Sequence, residues 1–151
     1  MAPLRDTRLV RASVPRTATF LEAARALFGT GISAIAVLEA DGRVAGLFSD
    51  DDLLLGLFPG YLVELHHTAF VREETPALGA RLEQVSGEPV EQHMREPMTV
   101  DIGAAGIHVA ERFLHSPWGA LAVVEDSRFV GMVDEVDFVQ SLMREVGVER
   151  A

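Results

Sequence analysis

Ile35-Ala36-Val37-Leu38, Glu39-Ala40-Asp41-Gly42-Arg43, Val44-Ala45-Gly46-Leu47-Phe48, Ser49-Asp50-Asp51-Asp52-Leu53 is an apolar strand, a polar turn, a return strand carrying a glycine, and an acidic helix start. The same order of elements recurs as Leu121-Ala122-Val123-Val124, Glu125-Asp126-Ser127-Arg128, Phe129-Val130-Gly131-Met132-Val133 and Asp134-Glu135-Val136-Asp137-Phe138. A repeated unit fixes the architecture before any single residue is given a role. Val37 and Val123 lie 86 positions apart, as do Ala24 and Ala110, and Val14 and Val100. Gly46 and Gly131 lie 85 apart, because the second turn is one residue shorter. Turns are where such length changes are tolerated.

The elements around this pair follow from local signals. Arg8 to Ala12 reads as an edge strand in a polar lead-in. Thr19 with Glu22 three residues later forms a capping box, and apolar residues at 20, 21, 24, 27 and 28 keep helical spacing up to Gly29. Residues 32–38 form a nearly all-apolar strand, the pattern of a strand covered on both faces. Asp41-Gly42 marks a hairpin turn, residues 43–48 return, and three acids at 50–52 open a helix at the positive end of its dipole. Residues 61–67 and 75–85 read as helices in a connection with no counterpart in the repeat. The second unit then follows. Val90 to Met94 opens it, residues 99–102 are extended and 104–114 helical. Residues 120–124 and 129–133 are strands, and 136–146 form the last helix. This gives an α/β chain of two pseudo-symmetric βαββα units around a shared core. Repeat one spans 1–58, a helical connection 59–88 and repeat two 89–151.

Composition excludes several function classes. The chain has 151 residues, 48% of them hydrophobic, and a net charge of −10. That surface repels phosphate backbones and anionic lipids, so neither nucleic acid nor membrane is an expected partner. No apolar run approaches the roughly 20 residues that span a bilayer. The first eleven residues lack the apolar stretch of a signal peptide. There is no cysteine, which removes thiol nucleophiles and thiolate metal sites and fits a cytoplasmic setting.

The doubled order, with a Gly-h-h-Ser/Thr-x-x-Asp element closing each unit, resembles the CBS domain (cystathionine beta-synthase domain), and the pair resembles a Bateman module. Val90 to Met94 with Pro97-Met98-Thr99-Val100 is similar to that family's opening to a repeat, which repeat one lacks at Leu9 to Ser13. The resemblance implies a stand-alone regulatory module. It would bind an adenosine-containing ligand in a cleft between its repeats, form a homodimer and act on a protein that the sequence does not identify. The closing element is intact in repeat one, as Gly46-Leu47-Phe48-Ser49-Asp50-Asp51-Asp52. In repeat two, Gly131 to Asp137, the hydroxyl position has become Asp134.

The spacing has its own chemistry. Ser49 and Asp52 share one face of a first helical turn. A carboxylate accepts from both hydroxyls of a ribose diol, while the hydroxyl and the free N–H groups of a helix start reach a phosphate. Gly46 lets backbone or ligand approach closely. The resemblance adds Arg16 as the expected phosphate partner, since it lies in the loop before the first helix, where that family often touches its ligand; its counterpart Ile102 is uncharged. Asp134 repels a phosphate, so the second corner, through Asp137, is expected to hold an uncharged adenosine moiety or nothing. The expected ligand-binding residues are therefore Ser49, Asp52, Gly46, Arg16 and Asp137.

Each has a plainer reading. Ser49 and Asp52 can simply cap their helix, and Trp118 can fill the core rather than stack on an adenine. Asp50-Asp51-Asp52 reads as a solvated helix start. Adjacent His66 and His67 diverge by about 100° on a helix and cannot chelate together. No P-loop, GxGxxG, HExxH or Ser-His-Asp context appears, so neither an enzyme nor a resident cofactor or metal is expected. Two readings stay open: a ligand sensor, and an interaction scaffold that binds no nucleotide.

Overall fold

The computed structural model describes residues 2–58 and 75–148. Repeat one comprises β1 (Ser13–Pro15), α1 (Phe20–Leu27), β2 (Ala34–Leu38), β3 (Val44–Ser49) and α2 (Asp50–Leu57). The connection contributes α3 (Thr75–Val85), and the helix expected at 61–67 lies outside the described residues. Repeat two comprises β4 (Thr99–Asp101), α4 (Gly106–Leu114), β5 (Ala120–Glu125), β6 (Arg128–Asp134) and α5 (Glu135–Glu145). Each repeat forms its own three-stranded sheet, ordered β1-β2-β3 and β4-β5-β6. In each, the first strand runs parallel to the second and the third antiparallel to it.

The symmetry is kept to the level of register. Val14 faces Val37 and Val100 faces Val123; Val37 faces Gly46 and Val123 faces Gly131. The length difference sits in the hairpins. The first closes through Gly42 at φ +88°, whereas Asp126 and Ser127 both take positive φ, at 51° and 67°, making a tight two-residue turn. At the start of α1 the Thr19–Glu22 capping box is formed in both directions, each bond 3.1 Å.

Three apolar clusters hold the module together. Phe20, Ile35, Val37 and Phe48 centre the first repeat; Val109, Phe113, Leu121, Val123 and Phe138 centre the second. Between the sheets lie Ala34, Ala36 and Leu47 against Ala120, Ala122 and Met132. Paired alanines on the two central strands let the sheets approach closely, which accounts for the all-apolar strand pattern: each strand has a core face and a partner face.

The lead-in segments depart from the sequence reading. The expected edge strand at Arg8–Ala12 is a single bridge at Val10, and the strand of that region, Ser13–Pro15, follows it. A 3-10 turn at Pro3–Asp6 occupies the place of the 3-10 turn Val90–Gln92, so repeat one does possess an opening. It was hidden because its residues resemble those of repeat two only in burial: Leu4 and Val90 are both fully buried. The two openings are also exchanged. Leu4 and Leu9 pack in the core of repeat two, while Val85, Val90 and Met94 pack in that of repeat one.

Candidate functional site

The end of β3 and the start of α2 carry Ser49 and Asp52 into a buried corner; the two residues are 1% and 4% exposed. They form a reciprocal capping box: Asp52 N–H donates to Ser49 Oγ at 3.3 Å, and Ser49 N–H donates to Asp52 Oδ2 at 2.9 Å. The Ser49 hydroxyl also donates to Oδ2, at 2.8 Å. The capping role read from the sequence is therefore filled. It leaves Oδ1 pointed away from the helix, where Arg95 Nε donates to it at 2.8 Å.

Arg95 comes from the opening of the other repeat. Its backbone N–H and C=O both bond to Leu47, at 2.9 and 3.0 Å, fixing the segment as an extra rung beside β3. Gly46 makes this crossing possible. A Cβ there would lie 2.6 Å from the Arg95 carbonyl oxygen and 2.7 Å from Met94 Sδ, so what approaches the glycine is backbone and a methionine. The Arg95 guanidinium lies 5.7 Å from the centroid of the Trp118 ring, within cation–π range. Trp118 stands at the entrance to β5, and its carbonyl accepts a hydrogen bond from the Ser33 hydroxyl at the entrance to β2. Ser49, Asp52, Arg95 and Trp118 thus form one cluster drawn from both repeats. The sequence reading did not include Arg95. Its position after Met94 and before Pro97 marks an extended segment, but no local signal says which strand that segment crosses.

Arg16 is not brought to this cluster. Its N–H bonds to the Leu38 carbonyl, at the far end of β2, whereas Ser49 pairs with Ala34 at the near end. Four residue steps along the strand separate these ends, about 13 Å. There Arg16 Nε bonds Glu91 at 2.7 Å and its terminal nitrogen bonds Glu39, holding its charge even more firmly than usual, Glu91 foremost. These groups, with Pro89 and Leu38, line an open cleft of about 460 Å³.

The second corner differs in charge. Asp134 is the N-cap residue of α5 but makes no side-chain cap hydrogen bond. Burial first, then repulsion from Asp137, raises its carboxyl above the usual 3.8, opposed first by the Glu135 backbone N–H and then by Arg8. Val10 occupies the place of Arg95, bridging Met132 as Arg95 bridges Leu47. Leu9 lies against Gly131 as Met94 lies against Gly46. Asp137 is therefore the second acid of a corner whose crossing residue is apolar. Among the described residues no three His, Asp or Glu side chains converge as a metal would require, and no helix is long and apolar enough to cross a membrane.

Comparison with known proteins agrees with this doubled geometry. The family model described as "CBS domain" matches residues 7–58 and again 90–144. A CBS domain-containing protein of unknown function from Kribbella flavida has a similar structure, with a TM-score of 0.73 at 16% identity, covering 95% of this chain and 99% of that one. The CBS-pair protein CBSX2 from Arabidopsis thaliana gives 0.72 at 17%, covering 96% of each chain. A CBS domain-containing protein from Bacillus anthracis gives 0.71 at 19%, covering 96% and 94%. At these identities the structures show a shared fold alone. No curated protein sequence matches the chain. Two matches of one model, on two units of the same strand order and register, leave a single assignment: this chain belongs to the CBS domain family as a tandem pair, the arrangement of a regulatory module.

Proposed function

We propose that this pair is a sensor that binds an adenosine-containing ligand, of the AMP, ADP or ATP kind, at the Ser49–Asp52 corner and passes its occupancy to a regulated protein. The observation that carries the reading is the Asp52 carboxylate. It is 4% exposed, yet its Oδ1 lies outside the capping box and meets a side chain from the other repeat. A carboxylate oxygen accepts more than one hydrogen bond, so Oδ1 retains capacity for a ribose hydroxyl. A ligand bound there touches both repeats and so favours one relative placement of the two, which is how occupancy becomes a conformational signal. The module acts as a regulator and not as an enzyme in this reading. The exposed apolar side chains of α5, Val136, Val139 and Met143, together with Leu54 and Leu55 of α2, support assembly into a homodimer.

Thermal unfolding against AMP, ADP, ATP and S-adenosylmethionine tests the reading. A ligand at a hundred times its dissociation constant adds about 2.7 kcal/mol of stability. Asp52→Asn keeps the shape of the cap while removing the charge, and is expected to abolish the shift with the fold intact. No shift with any of the four would leave an interaction module that binds no nucleotide.

A further inference from the structure

The side chain that decides what charge the first corner accepts lies outside the Gly-h-h-Ser-x-x-Asp element. We infer that Arg95 is the specificity-determining residue of this site, making it select a nucleoside 5′-phosphate over the uncharged nucleoside. This rests on the proposal that the Ser49–Asp52 corner holds the ribose.

Three observations carry the inference. The first is anchoring. Arg95 is fixed at its root by two backbone bonds to Leu47 and at Nε by Asp52, and its guanidinium lies by the Trp118 ring. A fork held in this way loses little freedom when it takes up a ligand. The second is spare capacity. Among the described residues only Nε of Arg95 makes a side-chain hydrogen bond, and neither terminal nitrogen, with four N–H donors between them, bonds a described residue. The Arg95 side chain is 43% exposed, so these donors are reachable from solvent. The third is the charge around it. Asp50, Asp51 and Asp52 open α2, and Arg95 is the cation paired with that turn among the described residues. Without it the corner presents three carboxylates, which repel a phosphate. The second corner differs in the same fold: Val10 stands in place of Arg95, and Arg8 is a cation acting on Asp134, whose carboxyl is raised all the same.

Arg95 therefore works in two directions. Nε ties the guanidinium to Asp52 Oδ1, and the terminal nitrogens grip the phosphate of the same ligand bidentately, the geometry that suits guanidinium to phosphate.

Titration calorimetry with AMP and with adenosine, on the wild type, Arg95→Gln, Arg95→Lys and Asp52→Asn, tests this. The wild type is expected to bind AMP at least tenfold more tightly than adenosine, with an AMP affinity that falls as salt rises. Arg95→Gln should lose about ten- to a hundredfold in AMP affinity and keep adenosine within about twofold, so that the preference disappears together with its salt dependence. Arg95→Lys, which keeps the charge but not the fork, should fall between; it also serves if the glutamine variant proves unstable. An unchanged AMP affinity in Arg95→Gln, with Asp52→Asn still weakening both ligands, overturns the role of Arg95 and leaves the site reading standing. Parallel losses of AMP and adenosine in Arg95→Gln overturn it too, since they would mark a merely structural residue. Failure of both ligands to bind the wild type overturns the site reading and this inference with it.

Discussion

Val10 and Met132 exchange both of their backbone hydrogen bonds, at 2.8 and 2.7 Å, although they belong to opposite repeats. Arg95 and Leu47 do the same at 2.9 and 3.0 Å. Each repeat is therefore completed by the opening segment of the other, and the pair is joined by exchanged strands of backbone as well as by its alanine-lined interface. Neither sheet closes its core with its own contiguous sequence.

Leu4, near the start of the chain and fully buried, packs in the core of repeat two with Val109 and Phe138. Leu4→Ala should destabilise the protein by about 2–5 kcal/mol, as for other buried leucines. Hydrogen exchange should show protection lost first in β4–β6, the strands farthest away in sequence. Loss confined to β1–β3 would contradict the exchange of openings.

Gly46 and Gly131 should be intolerant of side chains for matching reasons. A Cβ at Gly46 would lie 2.6 Å from the Arg95 carbonyl, and one at Gly131 would lie 2.8 Å from Leu9 Cβ. Either alanine variant is expected to cost about 1–3 kcal/mol in urea unfolding. Gly46→Ala should cost more, because backbone is harder to displace than a side chain, and it should also weaken any ligand that depends on Arg95.

The caps of α2 and α5 are not equivalent. Ser49 completes a capping box and Asp134 makes no side-chain cap bond. Ser49→Ala should therefore lose about 1 kcal/mol. Asp134→Ser, which restores Ser-x-x-Asp in repeat two, should raise the melting temperature. A fall in melting temperature would show that the Glu135 backbone N–H and Arg8 stabilise the Asp134 carboxylate more than a serine cap would stabilise the helix.

Asp134 also sets a pH dependence. Its folded-state carboxyl is raised above 3.8 by burial and by Asp137. The native state then holds its proton more tightly than the unfolded chain does. This contribution favours folding at low pH and is lost as pH rises from about 3.8 through the raised value. Asp134→Asn should be the more stable protein at neutral pH, with the difference vanishing below the unfolded value. Urea midpoints from pH 3 to 7 would show the two curves converging on the acid side; parallel curves would remove Asp134 as the cause.

The amino-acid sequence determined the repeat, its register, the order of elements and the capping boxes. These depend on periodicity and on groups three or four residues apart, which local chemistry governs. It also determined that the two corners differ, since Asp134 replaces the serine. The tertiary structure alone decided which residues meet. The family resemblance grouped Arg16 with Ser49 because Arg16 lies in the loop before the first helix, yet β2 places them at its opposite ends. The sequence reading passed over Arg95, which lies 2.8 Å from Asp52 because an opening segment crosses to the other repeat's sheet. It assigned no opening to repeat one because Pro3–Asp6 has little apolar pattern, and burial of Leu4 comes from α5 and its neighbours, far along the chain. Local patterns fix which segments are strands and helices, and the exchange of segments between repeats depends on long-range packing that no local pattern encodes.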